Sequence, residues 1–255
     1  MLRVLWTRIK QGYRTMAWPD GPPPALPERF AGRPTLAPTC PGNCDACRAV
    51  CPTGAISFDV SAAPQPTIDT GKCLFCRRCQ EACPAGCVKF TGEYRLAAAR
   101  REDLVVRPGG PECAPALVEK ARRLFKRSLK LRQVSAGGCN ACEADSNVLS
   151  TLAWDMGRFG IQFVASPRHA DGLLITGPVS ENMRLGLLKT YEATPSPKIV
   201  IAVGACAISG GPYSGHDECH GGAASIVPVD VFIPGCPPHP LTILDGLLRA
   251  IGRIG

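Results

Sequence analysis

Apolar and polar positions along the chain follow three successive patterns. Over residues 1–16, Leu2, Leu5, Trp6, Ile9, Tyr13 and Met16 recur at helical spacing while Arg3, Lys10 and Arg14 fall elsewhere, predicting an amphipathic helix on a membrane surface or a partner. Residues 18–41 interrupt that periodicity with eight prolines and predict a stiff, extended connector. Beyond the mixed-charge stretch 95–116, the stripe Leu117, Ala121, Leu124, Ser128 and Leu131 predicts a basic helix. Apolar runs then alternate with helical periodicity: strands are predicted at 131–136, 161–165, 172–176, 198–203 and 227–233, and helices at 145–158, 181–193 and 240–252. Such alternation predicts an α/β architecture around a parallel sheet. The expected division is a surface helix over 1–16, a small domain over 17–112 and a second domain over 113–255.

Composition sharpens this division. Apolar residues make up 45% of the 255, enough for a core, but aromatics are 6% and there are 27 Gly and 25 Pro, so much of the first half must be loop held by something other than a core. Fifteen cysteines, an odd number, and a start without a signal peptide's apolar core lead to the expectation of reduced thiols available to metal. Residues 1–132 hold 22 Lys/Arg against 11 Asp/Glu, whereas residues 133–255 hold 7 against 10. A basic half suits nucleic acid, anionic lipid or an acidic protein surface, and bound thiolate clusters would cancel part of its charge. No apolar run approaches the roughly 18–20 residues of a membrane-spanning helix.

The cysteines of the first half form an internal repeat. One constant shift of the sequence superposes Cys44, Cys47, Cys51, Pro52 and Gly54 on Cys76, Cys79, Cys83, Pro84 and Gly86. The second copy, from Cys73 to Pro84, obeys C-x2-C-x2-C-x3-C-P, in which three close thiolates wrap one cubane and the fourth, turned away by proline, serves the other. Crossed ligation follows: Cys40, Cys44, Cys47 and Cys83 for one 4Fe-4S cluster, and Cys73, Cys76, Cys79 and Cys51 for a second. The first loop, from Cys40 to Cys44, carries one residue more than the rule, which a Pro-Gly turn absorbs. Structural zinc would leave four close thiols redundant. Cys87 falls opposite Ala55 in the repeat and is expected to fill a small buried position.

In the second half, Cys139 and Cys142 follow the first predicted strand, Cys206 follows another and Cys236 the last. Carboxyl ends of parallel strands share one edge, so these four thiolates can converge on a third 4Fe-4S cluster, with Gly138, Gly204 and Gly235 allowing close backbone approach. Cys87, Cys113 and Cys219 lie outside every set.

The segments GGCNACE, GACAISGG and PVDVFIPGCPPHP resemble the small subunit of membrane-bound nickel–iron hydrogenases of the formate hydrogenlyase type and the related complex I subunit that holds its terminal cluster, over roughly residues 115–255. Residues 1–107, with LPERFAGRP, the paired cysteine runs and GEYRLAAARREDL, resemble the two-cluster ferredoxin-like subunit of the same complexes. The resemblance implies a fusion: a bacterial-ferredoxin-like α+β domain followed by a flavodoxin-like sheet with helices on both faces. It further implies an electron-transfer subunit carrying three clusters, partnered by a nickel–iron large subunit, membrane subunits and a soluble electron donor or acceptor, at the cytoplasmic face of the membrane. Complex I subunits have adjacent cysteines at the first position, so the separation of Cys139 and Cys142 favours the hydrogenase branch over the quinone-reducing one. No nucleotide loop is present, and no nucleic-acid partner is expected. His216, Cys219 and His220 are expected in a polar interface loop, and Glu143 either relays protons or stabilises a helix start.

Overall fold

The computed structural model describes residues 2–12, 14–38, 40, 45–58, 65–116 and 118–254. Tyr13, Cys44 and Leu117 therefore lie outside the described residues. Helix α1 (Leu2–Gln11) is shorter than the pattern predicts: Gly12 leaves helical space at φ +62°, and Met16 packs against the second half, its amide bonded to the Ala153 carbonyl. None of α1 is buried, so its apolar residues face outward, from 59% exposed at Leu5 to 85% at Leu2.

The first half contains β1 (Pro34–Leu36), α2 (Ala46–Ala49), β2 (Ile56–Phe58), β3 (Pro66–Asp69), α3 (Arg78–Glu81), β4 (Val88–Phe90) and β5 (Val105–Val106). The pairs α2/α3 and β2/β4 are each separated by the same shift as the two copies of the sequence repeat. Strand β1 pairs antiparallel with β4, and β3 pairs antiparallel with β2 and β5. The core between them is small: Leu36, Ile56, Ile68, Val88 and Val106, completed by Cys47, Cys73 and Cys79. Cysteines thus do part of the packing that aliphatic side chains do elsewhere.

The second half contains α4 (Glu119–Phe125), β6 (Leu129–Ser135), α5 (Ala141–Val148), β7 (Ile161–Phe163), β8 (Gly172–Thr176), α6 (Glu181–Ala193), β9 (Ile199–Val203), α7 (Ala205–Ser209), β10 (Val231–Ile233) and α8 (Pro240–Ala250). The sheet is wholly parallel in the order β10-β9-β8-β6-β7, the flavodoxin-like arrangement. Two cores cover its faces. Leu174, Ile199, Ile201 and Val203 pack with α8 on one side, and Leu173, Ile175, Val200 and Ala202 pack with Leu187 of α6 and Ile208 of α7 on the other. The central strands β8 and β9 are therefore buried at every position, as strands covered on both faces must be.

Besides α1, other elements depart from the sequence pattern. Leu131 belongs to β6, not to the preceding helix, because Leu129 and Leu131 alternate inward along a strand paired on both sides. Helix α5 starts at Ala141 and ends at Val148, since Asn140 turns through φ +70° before it, while Met156 bonds back to the Leu149 carbonyl after it. Strand β10 is confined to three residues, and Asp230 before it bonds through backbone and carboxylate to Val200.

The halves share their interior. Trp18 and Ala97 sit in one core of the second half, Ala98 and Leu104 in the other. Ala98 also exchanges two backbone hydrogen bonds with Phe232 of β10, at 2.9 and 2.8 Å.

Candidate metal centres

In the first half the loop between Cys73 and Cys79 passes through left-handed backbone at Phe75 (φ 55°) and Arg77 (φ 62°). Side-chain-bearing residues avoid that region, so both must be held there by their surroundings. Arg77 supplies one restraint, its guanidinium donating to the Glu28 and Phe30 carbonyls of the proline-rich connector. The curled loop turns Cys73, Cys76 and Cys79 towards a cavity whose wall also includes Cys51 from the first copy. Ile56, Ile68 and Phe90 line the same cavity and keep it apolar.

The amides are arranged around the sulfurs in the repeat's own symmetry. Ala55 N–H points at Cys51 Sγ and Cys87 N–H at Cys83 Sγ, both at 3.2 Å, and Phe75 N–H points at Cys73 Sγ at 3.3 Å. Such donors favour thiolate over thiol. Burial opposes ionisation of Cys83, yet the amides of Cys87, Val88 and Ala85 together hold it below the usual thiol value. Burial dominates at the others: Cys73 is pushed up to about 12, with the Phe75 amide opposing and Cys79, Cys51 and Cys76 adding repulsion, and Cys79 is pushed up to about 11.

Of the remaining thiols in this half, Cys40 and Cys83 both neighbour Cys87, and Cys47 neighbours Cys79. Cys87 occupies the backbone position of Ala55, as the repeat predicts, but its thiol stands beside Cys40 and Cys83. The repeat gave no sign of that proximity, because its partner position carries only a methyl group.

In the second half Cys139 precedes the turn at Asn140, Cys142 lies in the first turn of α5, Cys206 lies in α7 after β9, and Cys236 follows β10. All four meet at the carboxyl edge of the sheet. Burial, then Cys206, Glu143, Cys236 and Cys139, raise Cys142, while burial, then Cys236 and Cys139, push Cys206 up to about 11. Two glycines keep the space around the sulfurs clear. A Cβ at Gly204 (φ +89°) would lie 2.5 Å from Cys142 Sγ, and one at Gly211 (φ +54°) would lie 2.9 Å from Cys206 Sγ. Glu143 is buried beside this set, with Ser135 and Thr176 each donating a 2.6 Å hydrogen bond to Oε1.

Among the described residues no three His, Cys, Asp or Glu side chains converge as ligands of a single ion would. The thiols instead stand around a shared space, and their mutual repulsion asks for a multiply charged cationic partner whose binding would release their protons. A cubane held at its corners by cysteine fits these residues.

The two halves meet at their thiols. Cys236 is raised by burial, then by Cys139, and also by Cys76 of the first half. Beside them a cavity of about 650 Å³ is lined by Leu74, Phe75, Cys236 and His239. The His239 ring sits edge-on between Phe30 (5.6 Å) and Trp154 (5.9 Å). Its Nδ1 accepts the Leu241 amide, which caps α8.

Residues 139–250 match the family model described as NADH ubiquinone oxidoreductase, 20 Kd subunit, and residues 39–87 match a 4Fe-4S dicluster domain. The chain is 43% identical, over 52% of its length and 79% of the relative's, to the probable membrane-bound hydrogenase subunit mbhJ of Pyrococcus furiosus. The chain belongs to the NADH ubiquinone oxidoreductase 20 Kd subunit family. Formate hydrogenlyase subunit 7 of Escherichia coli is 47% identical over 51% of this chain, which spans only about half (51%) of that relative's length. An NADH-quinone oxidoreductase subunit of Heliobacterium modesticaldum is 38% identical over 47% of the chain and 69% of its own length. In this chain the domain of the oxidoreductase family carries the strand-end thiols, and the dicluster domain joined ahead of it carries the repeated ones.

The loop with His216, Cys219 and His220 proves to be a structured polar loop. His220 Nε2 pairs with Glu181 Oε2 at 2.5 Å, His216 Nδ1 accepts the Glu218 amide, and Cys219 bridges to Ser180. The Glu143 side chain ties the ends of β6 and β8 to the start of α5, a clamp that nothing in the local sequence announces.

Proposed function

We propose that this chain is the electron-transfer subunit of a membrane-associated nickel–iron hydrogenase complex, relaying electrons through three 4Fe-4S clusters to or from a nickel–iron large subunit. The observation that carries this reading is that Leu74 and Phe75, beside Cys76, line one cavity with Cys236, which makes neighbours of two thiol sets that are far apart in sequence. Bound to these sets, iron–sulfur clusters would supply one-electron storage and transfer. Cys40, Cys44, Cys47 and Cys83 would hold the first, Cys73, Cys76, Cys79 and Cys51 the second, and Cys139, Cys142, Cys206 and Cys236 the third. The chain's own contribution is to present thiolates, aim amides at them and line the cavity of the second set with Ile56, Ile68 and Phe90.

The hydrogenase relatives and the separated Cys139 and Cys142 support a nickel–iron partner. The similarity to NADH-quinone oxidoreductase subunits supports the alternative, in which the third set serves quinone reduction. The outward apolar face of α1, with Arg3, Arg8 and Lys10 on the same helix, supports peripheral attachment to a membrane or a membrane subunit.

Replacing Cys236 by serine in the intact complex tests the reading. Expected are loss or conversion of one cluster by electron paramagnetic resonance, an unchanged ferredoxin-type pair, and collapse of hydrogen-dependent dye reduction while the large subunit keeps its nickel. Quinone-dependent turnover without hydrogen-dependent reduction in the unmodified complex would favour the alternative.

A further inference from the structure

A second cavity, of about 670 Å³, opens away from the thiols, between β1, residues 91–95 and residues 106–112. It is of the size that holds small organic ligands. Its wall lies wholly outside both segments matched by the family models, 39–87 and 139–250.

Arg33 is the unusual member of that wall. It is 6% exposed, and its backbone is fixed because Gly32 approaches Glu93 so closely that a Cβ there would lie 2.2 Å from the Glu93 carbonyl oxygen. The amides of Gly32 and Arg33 bond to the Thr91 and Glu93 carbonyls at 2.8 and 2.9 Å. Among the described residues, no hydrogen-bond acceptor or ion-pair partner meets the Arg33 guanidinium, whose nitrogens are not sealed from solvent and open on the cavity. The acidic groups it faces are already committed. Glu93 Oε1 accepts both the Arg95 amide and Arg95 Nε, and its Oε2 pairs with Arg95 Nη2 at 2.5 Å. Cys113 faces Arg33 as a neutral thiol, raised by burial and bonded to the Ala114 carbonyl at 3.5 Å. Arg107 lines the opposite wall, likewise without an ion pair among the described residues, and Glu112 is the second carboxylate present.

Guanidinium donors that open on a cavity from an otherwise buried side chain, with no protein acceptor, are placed to meet an anionic complement. We propose that the cavity walled by Arg33, Arg95 and Arg107 is a binding site for a small organic oxyanion, a carboxylate or a phosphate ester. A planar guanidinium fork matches two oxygens of such a group, and Leu36 and Val106 offer an apolar wall to its carbon body.

Calorimetric titration of the iron-loaded full chain, at low salt and without other multivalent anions, tests the site with two probes: inorganic phosphate and succinate. At least one is expected to bind with a Kd of about 1 mM or tighter, near −4 kcal/mol. Arg33→Met should weaken that binding at least tenfold. Arg107→Ala lies on an exposed segment and should weaken it about threefold with iron content and Tm unchanged, and Glu112→Gln should strengthen it. Which probe binds distinguishes the phosphate from the carboxylate form of the site. Absence of binding by both probes overturns the proposal, as does binding indifferent to Arg107→Ala and Glu112→Gln, even if Arg33→Met does not fold.

Discussion

The two thiol-bearing halves reach similar chemistry by opposite routes. In the first, the cysteines are close in sequence, the strands are two to four residues long, and three of the cysteines are built into the small core of that half. In the second, the cysteines lie almost a hundred residues apart and are delivered by a sheet whose central strands are buried on both faces. A site can thus be the reason a domain folds, or a product of a domain that folds anyway. The difference teaches where to expect metal to act as a structural element.

The sharpest break of that comparison is removal of iron. Anaerobic chelation should abolish amide protection over β2, β3 and β4 while β8 and β9 stay protected, as hydrogen exchange would read; equal loss in both halves would end the distinction. Next in size is Leu174→Ala, which opens a cavity in a fully buried strand and should cost about 2–5 kcal/mol in denaturant unfolding of the second half. Its counterpart Ile68→Ala should instead show itself as faster bleaching of the visible iron–sulfur absorbance. Gly204→Ala addresses the second site alone. The added methyl would fall on Cys142 Sγ, so iron content should drop with little change in far-ultraviolet circular dichroism.

A smaller effect tests an ionic feature of the sheet domain. Asp245 in α8 is buried and raised to about 7 from an ordinary 3.8 by that burial, with Arg249, 3.6 Å away, opposing the rise. Between those two values the folded chain keeps a proton that the unfolded chain has released. Its contribution to stability is therefore complete below pH 3.8 and is lost as pH rises through about 7. Asp245→Asn should flatten that part of the stability curve and gain about 1 kcal/mol at pH 8 relative to the parent, the loss of a charged partner for Arg249 keeping the gain small. The smallest change expected is Cys87→Ala, which should leave iron content as it is; a fall would make Cys87 a ligand in place of Cys40.

Legibility followed the same divide. The repeat announced itself in the sequence, and α2/α3 and β2/β4 keep its register, because local spacing dictates local structure there. The parallel sheet was legible from continuous apolar runs such as Ile199–Val203, and α6 from its periodicity. Leu131 misled because a stripe at helical spacing also contained the inward alternation of Leu129 and Leu131. The shortness of α5 and the clamp on Glu143 depend on Asn140, Ser135 and Thr176, whose roles arise only once strands lie side by side. Arg33 is the extreme case: its surroundings come from separate stretches of chain, and one arginine among many in a basic segment gives no sign of burial.

The pairing of Ala98 with Phe232 has a practical corollary. Strand β10 ends the sheet, and an uncovered end strand is a template on which other chains can stack. Ala98 occupies that rim with two hydrogen bonds, acting as a built-in guard against self-assembly. Producing residues 113–255 alone would strip the guard away and expose an apolar rim. Such a fragment should precipitate or form β-rich aggregates at concentrations where the entire chain stays dispersed, as light scattering would show.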